Sequence, residues 1–172
     1  MTCVFLPSFI VLLLLPGLNV GDSPELRAVR YLANEVPRWR AENGCASCHH
    51  NGDGVRALYR AVAQGLPIPE QAIADSTRWL LRPDLWDHNG GEGTFSDTRL
   101  ARIQFASALV GLVETGHSEG RAALDLAAEQ LARDQRPDGS WPLEGPDTLG
   151  TPVTYGWSLA TLTARDVLRA SS

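Results

Sequence analysis

From about residue 22 onward the apolar positions recur at helical spacing and no stretch alternates with a period of two, which predicts an all-α fold. Ser23-Pro24-Glu25 reads as a helix start, with proline at the first position and an acid in the first turn. Leu26, Val29, Leu32 and Ala33 mark one face to about Glu35, Pro37 interrupts, and Trp39 leads on toward a cysteine-containing turn. Val55, Leu58, Tyr59 and Val62 predict a helix from about Gly54 to Gln64, stopped by Gly65 and Pro67. Pro69-Glu70 opens another to about Leu81, with Ile73, Trp79 and Leu80 inward. Arg82 to Thr94 is a Gly- and Asp-rich loop. Ser96 or Asp97 caps the clearest helix, whose stripe is Leu100, Ile103, Ala106, Leu109, Val110 and Val113, with Gly116 as its end. Ser118 caps the next, with Ala122, Leu124, Ala127, Ala128 and Leu131. Pro137-Asp138-Gly139 is a turn. The last helix runs from about Val153 to Leu168, with Tyr155, Leu159, Leu162 and Val167 inward. Six or so helices in antiparallel hairpins follow.

The first 21 residues stand apart. Val4 to Leu15 is almost wholly apolar, Pro16-Gly17 breaks the run, and Gly21 suits a cleavage site, so residues 1–21 read as a signal peptide. No Lys or Arg precedes the run, and an uncleaved anchor is the alternative, although a comfortable span needs about 20 apolar residues. Either way the rest of the chain is expected outside the cytoplasm, periplasmic or secreted, as one helical domain over residues 22–172 with no membrane span of its own.

Against that background Cys45-Ala46-Ser47-Cys48-His49 carries the most chemical information. C-x-x-C-H is the attachment signature of c-type haem. Two thiols add across the two vinyl groups of one porphyrin, and the next residue, His49, becomes the proximal iron ligand. Covalent haem is attached outside the cytoplasm, so motif and export signal support each other. The same residues also admit a zinc site with His49 or His50 and a further ligand, a small disulfide, or idle thiols. Met1 is the only methionine and leaves with the signal peptide, as does Cys3. The sixth iron ligand is then His88, His117, His50, water or nothing. His88 is the candidate distal ligand because it lies in the Gly-rich loop Trp86-Asp87-His88-Asn89-Gly90-Gly91-Glu92-Gly93, where a solvated histidine is the plain alternative. The five tryptophans are expected mostly as core or capping groups, with Trp39 and Trp86 the two that a porphyrin would pack on.

A second pattern concerns architecture. Leu131-x-x-x-Gln135-x-x-x-Gly139-x-Trp141, with the phrase Gln135-Arg136-Pro137-Asp138-Gly139-Ser140-Trp141, resembles the QW repeat of squalene and hopene cyclases, protein prenyltransferases and their relatives. The segment Gly150-Thr151-Pro152-Val153-Thr154-Tyr155-Gly156 and the helix pair from Asp97 to Gln135 are similar to the same repeats, and Trp39 to Ala61 resembles an N-terminal portion of exported bacterial relatives. The resemblance implies a partial α/α toroid, with residues 22–95 as the haem-motif portion and 96–172 as toroid-repeat hairpins. It also implies that Gln135 caps a neighbouring helix end while Trp141 stacks beside it. The catalytic pattern of those families is missing: there is no D-x-D-D motif and no Asp, Cys and His zinc set, and the chain is too short for a closed ring of six hairpins. Cyclase chemistry is therefore not expected.

Charge and composition narrow the rest. The net charge of −5 gives a nucleic-acid partner no electrostatic support. All 15 basic residues are arginine, which excludes a P-loop, a Schiff base and a lysine general base. No G-x-S-x-G or H-E-x-x-H occurs. His117, just past Gly116, suits the negative end of a helix better than a ligand role. Asp84, Asp87, Glu92 and Asp97 form an acidic middle whose spacing is not that of a calcium loop. The expected function is electron transfer by a c-type haem protein with a redox partner protein, or gas or peroxide chemistry if the iron is five-coordinate. The alternative is a haem-free repeat module that binds a partner or an apolar ligand.

Overall fold

The computed structural model describes residues 23–143 and 156–172. Six helices carry the fold: α1 (Pro24–Asn43), α2 (Val55–Ala63), α3 (Ala74–Leu80), α4 (Thr98–Glu114), α5 (Gly120–Asp134) and α6 (Gly156–Ser171). A π-helical turn, Cys48–Gly54, joins the α1 end to α2, and 3₁₀ turns at Glu70–Ala72 and Pro83–Leu85 flank α3. The described residues contain no strand, so the fold class is all-α.

α4 is the centre of the molecule. Leu100, Ala101, Ile103, Phe105, Ala106, Ala108, Leu109 and Leu112 are all buried, so this helix is apolar around most of its girth, as a core helix must be. Each large side chain among them contributes about 1.5–3 kcal/mol on leaving water. The π-turn, α2, α3, α5 and α6 all pack on it. One apolar cluster therefore runs from Val36 to Val167 and joins residues 22–95 to residues 96–172 without a seam. Asp97 caps α4 as expected, its buried carboxylate accepting from the Leu100 N–H at 2.8 Å. At the start of α1 the Ser23 hydroxyl accepts from Leu26 N–H at 3.3 Å.

Four details differ from the sequence reading. α1 does not stop near Pro37 but runs through it to Asn43. Proline removes one intrahelical bond, and burial of Val36 together with the Gly44 C-cap (φ 65°) holds the next two turns. α5 begins at Gly120 after Glu119 and takes no side-chain cap from Ser118. On α6 the inward residues are Ala160, Thr163, Ala164 and Val167, whereas Leu159 and Leu162 are exposed. The small residues Ala160 and Ala164 form the stripe that packs inward, and Leu159 and Leu162 fall off that stripe. Tyr155, Pro152 and Val153, placed in or before α6 by the sequence, lie outside the described residues. Finally, Trp86 is wholly buried, tilted against Phe105, with its Nε1–H donated to the Trp79 carbonyl at 3.3 Å. It is a core residue, so it has no face to offer a porphyrin.

Candidate functional site

The chain leaves α1 through Gly44, whose N–H donates to the Arg40 carbonyl at 2.9 Å, and passes directly into Cys45. The next residues are clasped from both sides. Ala46 N–H donates to the Asn89 carbonyl at 2.6 Å, so the Gly-rich loop sits on the backbone between the two cysteines. Ser47 N–H donates to Asn51 Oδ1 at 2.8 Å, and Asn51 N–H returns a bond to the Ser47 carbonyl at 2.7 Å. The Ser47 hydroxyl accepts from the N–H groups of His49 and His50 at 3.2 and 3.4 Å, which caps the π-turn. Asn51 is buried, and its Nδ2 donates to Ser76 Oγ at 2.8 Å, fastening the turn to α3. Gly52 follows because a Cβ there would meet the Gln104 side chain at 3.2 Å. Buried polar groups cost 1–3 kcal/mol or so when left unpaired, so this clasp fixes the backbone of the motif firmly.

The chemistry-bearing side chains stand on this fixed backbone. Cys45 and Cys48 are both free thiols and both half-buried. His49 is exposed. His50 is stacked on Trp39, ring centroids 4.6 Å apart and planes 14° from parallel, with Nδ1 3.3 Å from Ser47 Oγ. Burial, with His49 and Arg38 nearby, holds the His50 imidazole below its usual range, so it is neutral at pH 7. Burial, then the carboxylates of Asp53 and Asp97, pushes the Cys48 thiol up to about 11. Cys48 is thus held as a neutral thiol on the clasped turn.

His88 and His117 take different places. His88 is exposed, and its N–H donates to the Leu85 carbonyl at 3.1 Å. The loop that carries it is the one seated on Ala46, so chain residues 88–91 and 45–46 are neighbours. Asp87 in that loop is held by Arg102 Nε at 2.9 Å, and the same guanidinium reaches Asp134 at the end of α5. His117 lies past the far end of α4, paired with Glu119 at 2.9 Å. Among the described residues no three His, Cys, Asp or Glu side chains gather as a metal-ligand set.

The Gln135–Trp141 region has the stated residues in altered roles. Gln135 is exposed and its Nε2 donates to the Gly139 carbonyl at 3.1 Å, inside its own turn. Trp141 is buried, and its Nε1–H donates to the Leu131 carbonyl at 2.8 Å. The indole, not the amide, satisfies a carbonyl in the last turn of α5.

Ser76 and Gln104 carry no local signal, because each is an ordinary polar residue until the fold sets it beside the turn; Asn51 follows the motif in sequence, and its role as the clasp emerges only from its bond to Ser76. No protein-family description, curated protein or solved structure matches the chain. No helix among the described residues is long and apolar enough to cross a membrane.

Proposed function

We propose that the protein is an exported electron carrier, periplasmic or secreted, with one c-type haem held by Cys45, Cys48 and His49. The observation that carries this reading is the pair of free thiols on a clasped turn, with His49 exposed at the next position. Covalent attachment needs thiols that neither pair with each other nor serve another ligand set, on a backbone that keeps their spacing. When bound, the haem supplies one-electron chemistry, and the protein supplies two thioethers, a proximal imidazole and the surrounding electrostatics. His50, stacked on Trp39, is already engaged, which leaves His88, water or an open site opposite His49. A redox partner protein completes the reading, on a scaffold whose hairpins form part of an α/α toroid.

The test is a haem stain on a denaturing gel after co-expression with the cytochrome c maturation machinery. The stain is expected to survive acid–acetone extraction and to vanish in the Cys45→Ala/Cys48→Ala double variant. A stain lost on extraction, or unchanged in the double variant, overturns the proposal.

One observation favours a second reading, a haem-free repeat module. Trp157, Leu159 and Leu162 are exposed on α6, and such side chains suit contact with a partner or an apolar ligand. Colourless protein that keeps its fold and binds through α6 would decide for it.

A further inference from the structure

The motif turn carries a charged side chain that the haem reading leaves without a role. Asp53 belongs to the π-helical turn Cys48–Gly54. Bonding from residue i to i+5 sets it one turn along from Cys48. Two neighbouring elements hold its carboxylate. Gln104 Nε2, on α4, donates to Asp53 Oδ2, and Arg56 Nη2, on α2, lies 3.3 Å from Oδ1. Gln104 is only 1% exposed, so the acid is fastened to the core helix. Its charge is nevertheless incompletely matched. Oδ1 is buried and takes no hydrogen bond, and Arg56 is shared with Ser107, to whose Oγ its Nη1 donates at 2.8 Å. Burial pushes the Asp53 carboxyl above its ordinary value, while Arg56, Gln104 and His49 pull it back. After burial, the Asp53 carboxylate is the main influence raising the Cys48 thiol, ahead of Asp97 at the start of α4. Charges in such a partly buried place act on one another strongly, because little water screens them.

We propose that Asp53 supplies a fixed negative charge that sets the electrostatic character of the motif, repelling anions from Cys48 and, with haem tethered there, favouring oxidised iron. A negative charge held near iron stabilises Fe(III) over Fe(II), so it lowers the reduction potential. Arg56 opposes it with a charge of the other sign. Removing the acid and removing the base should therefore move the site in opposite directions. A loosened turn cannot do so, because loosening uncovers Cys48 in either variant. The effect on iron rests on the function proposed above; the effect on the thiol does not.

Two alkylating reagents of similar size, anionic iodoacetate and neutral iodoacetamide, read the field at Cys48. Both attack the same thiolate, so the ratio of their rates cancels the thiolate fraction and the access to sulfur. In haem-free Cys45→Ala protein at mildly alkaline pH and low salt, Asp53→Asn is expected to raise the iodoacetate-to-iodoacetamide ratio about threefold, and Arg56→Gln to lower it. Added salt should shrink both shifts. Asparagine keeps an acceptor for Gln104, and the Arg56 side chain is 43% exposed, so neither variant opens the core. In haem-loaded protein with both cysteines, Asp53→Asn should raise the reduction potential and Arg56→Gln should lower it. A ratio that Asp53→Asn leaves unchanged overturns the inference, as does a shift in the same direction in both variants. Should Asp53→Asn not fold, an unchanged ratio in Arg56→Gln overturns it alone. A potential unmoved by Asp53→Asn overturns the role toward iron while haem attachment stands. A chain that takes up no haem fails the function proposed above, and the thiol ratio still decides for or against Asp53.

Discussion

The Cys45–Gly54 turn and the Gln135–Trp141 turn are both short sequence signatures, yet they are held by opposite means. In the first, polar side chains clasp the backbone and leave His49 exposed beside two half-buried thiols: Asn51 and Ser47 bond each other, and Asn51 reaches Ser76. In the second, the signature side chain is itself consumed by the fold. Trp141 is buried, donating to Leu131, and nothing chemical is presented. A motif whose residues vanish into packing specifies architecture. In the Cys45–Gly54 turn only His49 is kept out of packing, while Cys48 rests against the core and a buried polar clasp holds the backbone.

The comparison breaks most visibly at Trp141. Trp141→Ala should destabilise the protein by about 3–5 kcal/mol, as truncation of a buried tryptophan does, while Gln135→Ala should cost well under about 1 kcal/mol because its bond is solvent-exposed. Thermal and urea melts of the two variants check this. Equal losses would put the amide back in the capping role the sequence implied.

The clasp gives a smaller effect of a different kind. Asn51→Ala leaves Ser47 N–H and Ser76 Oγ without their partner and should cost about 1–3 kcal/mol. It should also quicken alkylation of Cys45 and Cys48 in the native state, because the turn loses its fastening. Trp141→Ala, at matched fractions unfolded, should leave the alkylation rate unchanged. A common rate in both variants would mean that the turn is not locally specified.

The smallest effect is one of pH. Burial raises the Cys48 thiol from an ordinary value near 9.0 to about 11. The folded state therefore keeps a proton that the unfolded chain gives up first. That contribution is fully present below about pH 9 and is lost as pH rises toward 11, so stability should fall across this window in the reduced, haem-free protein. Cys48→Ala should flatten the fall. An equally steep decline in that variant would assign it to other groups.

Much of the fold was legible in the chain. Helical spacing gave the all-α class, and the caps at Ser23 and Asp97 stand where Ser-Pro-Glu and Ser-Asp precede apolar runs. Local pattern failed where tertiary packing overruled it. Pro37 is tolerated within α1, since Val36 is buried beside it. Leu159 and Leu162 face outward, and the inward stripe of α6 is Ala160, Thr163, Ala164 and Val167. At the site, the positions of Cys45, Cys48 and His49 needed only the motif, and their surroundings needed the fold.

The two glycines of the loop bear on how this sequence can drift. Position 90 carries a left-handed backbone pressed against an indole, and position 91 abuts a cysteine. Neither accepts a side chain without displacing what lies beneath it. His88 and Glu92, on either side, are exposed and carry no such restriction. Among distant descendants of this chain, the glycine pair together with the two cysteines is the more durable fingerprint, and a histidine at position 88 the more expendable one.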